Sequence, residues 1–500
     1  MNQKKINFIS VMLLAVGATI GSGIFFKNSS ILDYTGSIVF SLFSWVVSVF
    51  AIVCICLTLK EIVRDSGQNN SMGNIGWIKS FCSTRFYNGF RNFMIFLYIP
   101  TNFFILVFYG VQSIQDSLTI FLGEQFQLRY YYVILIAFFC LLFFTFVPMF
   151  FSKFGIVQNN ILSITKFLPL LFGIVAGIVV FSINKASLAN NLIDINLPPQ
   201  TEPKPFSLSH ISPFIGIIAS IPAIFFAFDG FYVAGSVMNE MEKPEKFSKA
   251  LALGIIVVAV VYILFSISML FVSEGGSFIE LVNKWESDNN AIKVIKFLLL
   301  LCIALACFGV VNSWSIFCFT FFKELIQKKE TIWHNRFNHN SKYSVILYNA
   351  ILIISTFFVF TLIGCFFYHD GPYAATTHYD EITKKIFNLC DLISNWTSLF
   401  VFLGIIVAIF GYLQKNKNTT KSFKTFAFLA IFFVLLSTLF EVSECFVILI
   451  SSVSFQIQHA NISFGTYLLP SILKFILLFV FFSVCFLAKK DKKELKLNIG

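Results

Sequence analysis

The stretch Ala15-Val-Gly-Ala-Thr-Ile-Gly-Ser-Gly-Ile-Phe-Phe26 is the part of the chain from which the fold can be argued. It lies inside an apolar run that begins near Phe8, and its small residues fall about 13 residues into that run. At about 1.5 Å per residue, they lie about 20 Å into a membrane core about 30 Å thick. Each glycine weakens a helix by about 1 kcal/mol relative to alanine. The stretch therefore predicts an interrupted helix.

An interruption at this depth would release the backbone amides of Gly21, Ser22 and Gly23 where there is no bulk water. Unsatisfied amides are too costly in lipid, so they must face a cavity or a ligand. They also begin a second half-helix, whose N-terminus attracts an anion such as a carboxylate. The alternative is a packing face, because Gly17 and Gly21 form a GxxxG pair that lets two helices approach closely.

The composition identifies a polytopic membrane protein. Of the 500 residues, 57% are hydrophobic and 12% are charged, whereas soluble domains carry about 25% charged residues. No polar stretch is long enough for a soluble catalytic domain, and no HExxH or GxSxG motif points to an enzyme. The eleven cysteines show neither a disulfide framework nor zinc spacing. We expect no metal site and no cofactor.

Twelve apolar runs are long enough to span a membrane. They lie at 8–33, 37–59, 91–113, 130–151, 157–182, 212–237, 250–273, 292–322, 343–367, 386–413, 425–449 and 467–488. With the N-terminus inside, 25 lysines and arginines fall on inner segments and 7, including Lys27, on outer segments. This asymmetry predicts that both termini are cytoplasmic. We therefore attribute the net charge of +11 to the basic residues that set the membrane orientation, and we expect no nucleic-acid partner.

A second interruption is predicted in the sixth run. Pro222, Asp229 and Gly230 all lie within this otherwise apolar segment. Proline removes a helix donor, and an Asp-Gly pair breaks a helix. One interpretation is a kinked helix in which Asp229 caps the following half-helix; the other is a break that binds a ligand, and the two are compatible.

The positions of the two breaks indicate two inverted halves. Five-helix halves have odd parity, so the first and sixth runs cross the membrane in opposite directions. Paired interrupted helices at corresponding places point to a transporter binding site. We predict an all-α fold with a 5+5 inverted repeat and discontinuous helices 1 and 6. Its segments are a first half at 1–182, an outer loop at 183–211, a second half at 212–413, two peripheral helices at 414–488 and a basic cytoplasmic tail at 489–500.

These segments resemble a known group of permeases. Gly17-Ala-Thr-Ile-Gly-Ser-Gly-Ile-Phe25 is similar to the first-helix signature of the amino acid–polyamine–organocation (APC) superfamily. Phe225-Phe-Ala-Phe-Asp-Gly-Phe231 resembles its sixth-helix segment, and Glu240-Met-Glu-Lys-Pro244 the loop that follows. Ser248 departs from the pattern, since a second proline is usual there. The resemblance implies an inverted-repeat (LeuT/APC-type) fold and secondary active transport of amino acids across the plasma membrane by alternating access.

The resemblance also implies roles for particular residues. The amides of Gly21, Ser22 and Gly23 would hold the substrate carboxylate. Carbonyls in both breaks would meet its ammonium, and these are the carbonyls of Ala18, Thr19, Ile20, Phe225, Phe226 and Ala227. Either Phe226 or Phe228 would close over the substrate from outside, while Asp229 and Gly230 would shape the break.

Charged residues inside the apolar runs suggest coupling and packing roles. Lys166 lies about 10 residues into the fifth run. A buried lysine has a lowered pKa and can carry a proton, and similar permeases place a lysine there, where its ammonium stands in for a sodium ion. This favours H+ symport through Lys166, with snorkelling or a neighbouring carbonyl as the alternative. Glu444 and Lys474 are expected to join the two peripheral helices.

Several other functions stay open at this point. An exchanger would use the same site without an ion, and a polyamine or organic-cation permease would need more acidic residues than Asp229 in its cavity. An amino acid sensor would keep the site and lose transport. A channel fits less well than alternating access, because a channel needs a continuous polar pore. The identity of the amino acid is not readable from the sequence.

Overall fold

The fold was analysed in a computed structural model of the chain. The structure describes residues 7–67, 73–123, 126–183, 205–232, 241–273, 275–283, 289–331, 334–367, 379–416, 418–459 and 467–486. Over these residues the regular elements are all helical. Most of the predicted outer loop and the whole of the basic tail lie outside the described residues, as does Glu240 in the loop after helix 6.

The described residues form seventeen α-helices, and the first half of the chain holds nine of them. They are α1 Phe8–Thr19, α2 Gly23–Thr35, α3 Ile38–Ser66, α4 Asn74–Phe81, α5 Thr84–Phe93, α6 Ile99–Leu122, α7 Tyr130–Phe150, α8 Ser152–Thr165 and α9 Phe167–Ile183. A π-helical turn at Met94–Tyr98 joins α5 to α6, directly before Pro100. Proline has no N–H for the helical ladder, so the distorted turn has a local cause.

The second half contains eight further helices. They are α10 Pro213–Ala227, α11 Phe247–Val272, α12 Phe278–Asn283, α13 Asn290–Gln327, α14 Lys342–Phe367, α15 Glu381–Lys415, α16 Lys421–Gln458 and α17 Leu468–Phe486. Side chains cap the N-termini of two of these helices. The Asp380 side chain accepts a hydrogen bond from the Ile382 amide at the start of α15. The Thr420 side chain does the same for the Phe423 amide at the start of α16.

The described residues contain nine helices that are long and apolar enough to span a membrane, or ten if α1 and α2 count as one broken span. Two shorter apolar helices, Pro213–Ala227 and Leu468–Val484, occupy the sixth and twelfth predicted runs. Large side chains such as Phe139 and Phe428 stay more than half exposed. Such outward apolar faces are typical of helices solvated by lipid rather than water.

The first run is broken where the sequence predicts it. The helices α1 and α2 are bent by 59° across the break, and Ile20 is extended, with φ −67° and ψ 104°. The structure disfavours the GxxxG packing face, because a Cβ atom at Gly17 would meet nothing within 4 Å. Gly17 therefore does not form a close helix–helix contact.

The break in the sixth run lies after Pro222, not at it. The helix α10 continues through Pro222 and ends at Ala227. The chain then turns over residues 228–230, where Gly230 has a φ of +101°. This left-handed conformation favours glycine. The predicted second half of helix 6 includes residues 233–237, which lie outside the described residues.

The helix of the fifth run is interrupted at one residue, which the sequence analysis did not predict. The helix α8 ends at Thr165 and α9 begins at Phe167, so Lys166 lies between them, in right-handed helical conformation. Pro169 has no N–H to donate to the carbonyl of Thr165, which is consistent with an interruption here. The two helices still form one apolar span.

Candidate substrate site

The two helix breaks touch each other in the middle of the fold. A Cβ atom at Gly23 would lie 2.5 Å from the Cα atom of Ala227, which is closer than real contacts allow. On the other side of the crossing, a Cβ atom at Gly230 would lie 2.9 Å from the carbonyl oxygen of Ala18. The breaks can approach this closely only because both glycines lack a side chain.

Tyr262 on α11 ties the two breaks together. Its buried hydroxyl lies 3.1 Å from the carbonyl oxygen of Thr19 and 3.3 Å from that of Ala227. These carbonyls belong to residues at the ends of α1 and α10, where intrahelical partners run out. One side chain therefore links the backbones of both interrupted helices.

Lys166 also forms hydrogen bonds to the backbone at the first break. Its Nζ atom donates to the carbonyl oxygens of Gly17 and Ile20, each at 2.8 Å. The side chain is 6% exposed. Its ammonium therefore contacts carbonyls at the end of α1, which fits both the cation position that the resemblance implies and the alternative of a neighbouring carbonyl, and only snorkelling to a membrane surface is disfavoured.

A small cavity lies where the breaks meet. Its volume is about 50 Å³, and its walls come from both breaks and from α6 and α13. The lining residues are Ala18, Thr19, Gly21, Ser22, Gly23, Asn102, Leu106, Phe226, Ala227, Asp229, Val310 and Trp314. A cavity of this size holds a few water molecules, so the structure shows the site in a nearly closed form.

Eight of the predicted site residues line this cavity, and five do not. Ile20 and Lys166 bond each other behind the wall. Phe225 stacks on Phe402 with their ring centroids 4.2 Å apart. Phe228 packs against Tyr262, so of the two candidate lids only Phe226 reaches the cavity. Gly230 lies at the crossing of the breaks.

Asp229 is held by hydroxyl groups from two neighbouring helices. Its Oδ2 atom accepts hydrogen bonds from the Tyr98 hydroxyl at 2.8 Å and the Ser398 hydroxyl at 3.2 Å. The hydroxyl of Tyr232 in turn lies 2.7 Å from the hydroxyl of Tyr98. The Oδ1 atom is buried and has no hydrogen-bond partner in the described part of the chain. A buried carboxylate oxygen without a partner is costly, so a donor that reached this atom would be favourable.

Sequence analysis missed four lining residues on the helices across the cavity. These are Asn102 and Leu106 on α6, and Val310 and Trp314 on α13. The Pro100 signal in α6 points to the neighbourhood of Asn102, but nothing in the sequence marks the others.

Polar residues of α13 that do not line the cavity serve packing. Asn312 donates to the carbonyl of Gly155 at 3.0 Å. The hydroxyl of Ser315 donates to the carbonyl of Thr145, and a Cβ atom at Gly309 would lie 2.8 Å from Leu162. These contacts hold α13 against α7 and α8.

Lys27 is not in an outer loop, as its place in the charge count assumed. It lies in α2 and is fully buried. Its Nζ atom is 2.6 Å from Oδ1 of Asp391 and 2.6 Å from the hydroxyl of Ser394, both on α15. Ser30 donates to the same Asp391 oxygen at 3.0 Å. This ion pair joins α2 to α15 beside the cavity, since Nζ lies 5.2 Å from the ring centroid of Phe226.

A second ionic group lies near the end of α13. Glu330 accepts hydrogen bonds from Lys79 at 2.7 Å and from the hydroxyl of Tyr87 at 2.6 Å. Burial opposes ionisation of this carboxyl, but the bonds from Lys79 and Tyr87 outweigh it, so the pKa of Glu330 is lowered from 4.5. The group connects α4 and α5 to the segment that follows α13.

Glu444 joins a peripheral helix to the segment before α10. Its carboxylate accepts hydrogen bonds from the hydroxyl of Ser207 at 2.5 Å, the amide of Leu208 at 2.8 Å and the hydroxyl of Ser209 at 3.3 Å. These contacts account for a buried carboxylate in α16, independently of the expected pairing with Lys474.

The described residues contain no group of three or more His, Cys, Asp or Glu side chains that could hold a metal ion. The cavity offers two polar features of opposite character. It has the start of a helix on one side and a carboxylate oxygen on the other.

Comparison with known proteins defines the class. The manganese transporter of Eremococcus coleocola shares 15% identity and a TM-score of 0.53, over 95% of this chain and 94% of that one. The transporter MhsT, solved with L-phenylalanine, shares 14% identity and a TM-score of 0.51, over 86% and 97% of the two chains. The molecule thus has the inverted-repeat fold that these membrane proteins share.

Sequence comparison gives the family. The family model described as amino acid permease matches residues 6–482. An uncharacterized protein of Mycoplasma pneumoniae is 31% identical over 447 residues, which are 83% of this chain and 78% of that one. The serine/threonine exchanger SteT of Bacillus subtilis is 22% identical over 295 residues, or 56% of this chain and 57% of SteT. The chain belongs to the amino acid permease family.

Proposed function

We propose that this protein carries amino acids across the plasma membrane by alternating access, coupled to H+ symport, with both termini cytoplasmic. The observation that carries the proposal is the cavity at the meeting of the two breaks. It brings the first turn of α2 together with a carboxylate and the end of α10. A zwitterion is the ligand that both ends can bind at once.

The carboxylate of the substrate binds the amides of Gly21, Ser22 and Gly23. These amides lie at the start of α2, where the first N–H groups have no intrahelical acceptor. The side chain of Ser22 makes no capping hydrogen bond to them, so it does not compete with a bound carboxylate. The helix dipole adds a favourable field for the anion.

The ammonium group lies toward the sixth helix. Five of the six carbonyls proposed for it already have protein donors. Tyr262 bonds those of Thr19 and Ala227, and Lys166 bonds that of Ile20. The backbone amides of the turn after α10 bond those of Phe225 and Phe226. The unpartnered Oδ1 atom of Asp229 is the strongest remaining acceptor. We therefore give Asp229 a binding role as well as its role in shaping the break.

Lys166 is the proposed proton carrier. Its ammonium bonds two carbonyls of the first break, so loss of its proton weakens the hold on that backbone. Protonation and the shape of the carboxylate site are then linked through one side chain. This linkage is what H+ symport requires.

Amino acid exchange is the second candidate, and the similarity to a serine/threonine exchanger favours it. In an exchanger, Lys166 stays charged and acts as a fixed support for the break. A polyamine or organic-cation permease gains less support, because Asp229 is the single ionisable residue in the cavity wall. A sensor would bind the same ligands without moving them.

Uptake into proteoliposomes separates these candidates. The purified full-length protein is reconstituted and given a pool of labelled amino acids, with and without an inward proton gradient. The variants are Lys166→Ala and, as a matched control, the exposed Lys153→Ala in α8. Symport predicts gradient-driven accumulation that is lost only in Lys166→Ala.

Uptake that depends on internal amino acid and ignores the gradient would show an exchanger and would remove the proton role of Lys166. Binding without uptake under either condition would identify a sensor. If the protein neither binds nor takes up any amino acid, the proposal is refuted.

A further inference from the structure

The backbone amides contact groups that all amino acids share, so the side wall of the cavity must determine which substrate side chain fits. It consists of three apolar side chains, Leu106, Val310 and Trp314, and one polar side chain, Asn102. Val310 stands close to the break, since its Cγ2 atom would lie 3.7 Å from a Cβ atom at Gly21. With a volume of about 50 Å³, the cavity admits an amino acid only if this wall moves, and the movement required grows with the size of the substrate side chain.

Asn102 is oriented by the distorted turn before it. Its Nδ2 atom donates to the carbonyl oxygen of Tyr98 at 2.8 Å, at the end of the π-helical turn. A carbonyl needs a donor, so this contact fixes which end of the amide is nitrogen. Asn102 is 4% exposed, and no donor within the described ranges reaches its Oδ1 atom. The amide therefore presents an unpaired acceptor at the cavity.

The charges of the cavity wall also restrict which substrate side chains can bind. Among the residues that the structure describes, Asp229 is the one ionisable residue in the lining, and its unpartnered oxygen is assigned to the substrate ammonium. The same described lining offers no cation for an acidic side chain and no second anion for a basic one. The side chain that fits is small, neutral and able to donate one hydrogen bond.

We infer that the cavity selects small amino acids that carry a hydroxyl group, and that Asn102 is the residue that recognises this hydroxyl. The inference rests on the proposed function, because it assumes that the carboxylate and ammonium of an amino acid occupy the two breaks. The substrate hydroxyl donates to Oδ1 of Asn102, while Val310 and Trp314 limit the length of the side chain. An apolar isostere leaves that acceptor unpaired and binds more weakly.

Threonine and valine form the ligand pair that tests this inference, because they have the same shape and differ in one hydroxyl. Their affinities for the purified protein in detergent are measured by ligand-induced shifts in thermal unfolding, together with those of serine, alanine, leucine and phenylalanine. We expect threonine to bind about 10-fold more tightly than valine, which is the effect of one hydrogen bond of ordinary strength.

The main variant is Asn102→Leu, and its matched control is Asn349→Leu. Asn349 is also buried, and its Nδ2 atom donates to the carbonyl four residues earlier, that of Val345, at 2.9 Å. Both variants lose the same local bond, but only the first lies in the cavity wall. We expect the threonine preference to fall to within about twofold in Asn102→Leu and to persist in Asn349→Leu.

A gain-of-function variant covers the case in which Asn102→Leu fails to fold. Val310→Ala enlarges the cavity and should improve leucine binding relative to threonine by about 10-fold. The neighbouring Val311→Ala is the control, since Val311 is buried but does not line the cavity.

Equal binding of threonine and valine by the wild type would overturn the inference, as would stronger binding of leucine or phenylalanine than threonine. Either result would leave the proposed function intact. No response to any amino acid would refute the proposed function and this inference with it.

Discussion

The buried ion pair between α2 and α15 gives the sharpest prediction about stability. Lys27→Met removes the cation and leaves the carboxylate of Asp391 without a counter-ion in a fully buried position. The Lys27 ammonium makes three contacts on α15: Oδ1 of Asp391 at 2.6 Å, its carbonyl oxygen at 3.1 Å and the hydroxyl of Ser394 at 2.6 Å. Breaking a buried pair from one side costs about 3–5 kcal/mol.

Replacing both partners should restore most of this loss. Lys27→Met/Asp391→Leu leaves no buried charge at the site, and such apolar replacements are often neutral or stabilising. The control is Lys384→Met, which breaks the exposed pair with Glu381 on the same helix α15. Exposed pairs contribute about 0–1 kcal/mol, so this variant should unfold almost as the wild type does.

Thermal unfolding of the purified variants in detergent, followed by tryptophan fluorescence, ranks them. We expect Lys27→Met to be the least stable, with the double variant and Lys384→Met near the wild type. A Lys27→Met protein as stable as Lys384→Met would refute the reasoning, because the Lys27 charge would then not be buried against Asp391.

Three further predictions concern the breaks and the ionic group near α13. Gly23→Ala should lose about 1–3 kcal/mol of stability and most binding, because its Cβ atom meets Ala227, whereas Gly17→Ala, with open space around it, should be tolerated; equal effects in binding assays would contradict this. Tyr262→Phe should cost about 1–3 kcal/mol in thermal unfolding, because it leaves two buried carbonyls unbonded; an unchanged unfolding temperature would exclude the bridge. Because the pKa of Glu330 is lowered from 4.5, its stabilising effect should be present at neutral pH and be lost as the pH falls below that value. The difference in unfolding temperature between wild type and Glu330→Gln should therefore shrink on acidification, and a difference that grows would reverse the sign of the argument.

The elements that the sequence could predict are those with a local cause. The break at Gly21–Gly23 follows from consecutive small residues, and the turn at Gly230 from an Asp-Gly pair in an apolar run. Lys166 could be placed because a charge in a spanning helix needs a partner. In each case the signal and the structure lie within a few residues of each other.

The remaining site residues depend on the rotation of helices, which the sequence does not record here. In a soluble helix, a polar face and an apolar face fix the rotation. In α6 and α13 the apolar residues lie all round, so Leu106 and Val310 cannot be told from lipid-facing neighbours. Lys27 was assigned to an outer loop for a related reason. Its partner Asp391 is 364 residues away in the sequence, and a count of charges along the chain does not detect such a pair.

The central claim is that an amino acid binds where the two breaks meet. The most direct measurement is a cryo-electron microscopy structure of the protein with a saturating concentration of L-threonine. We predict density in the cavity, with the carboxylate at the amides of Gly21–Gly23 and the ammonium near Asp229. Threonine bound at another position would contradict the account, as would an empty cavity at a concentration that stabilises the protein against heat.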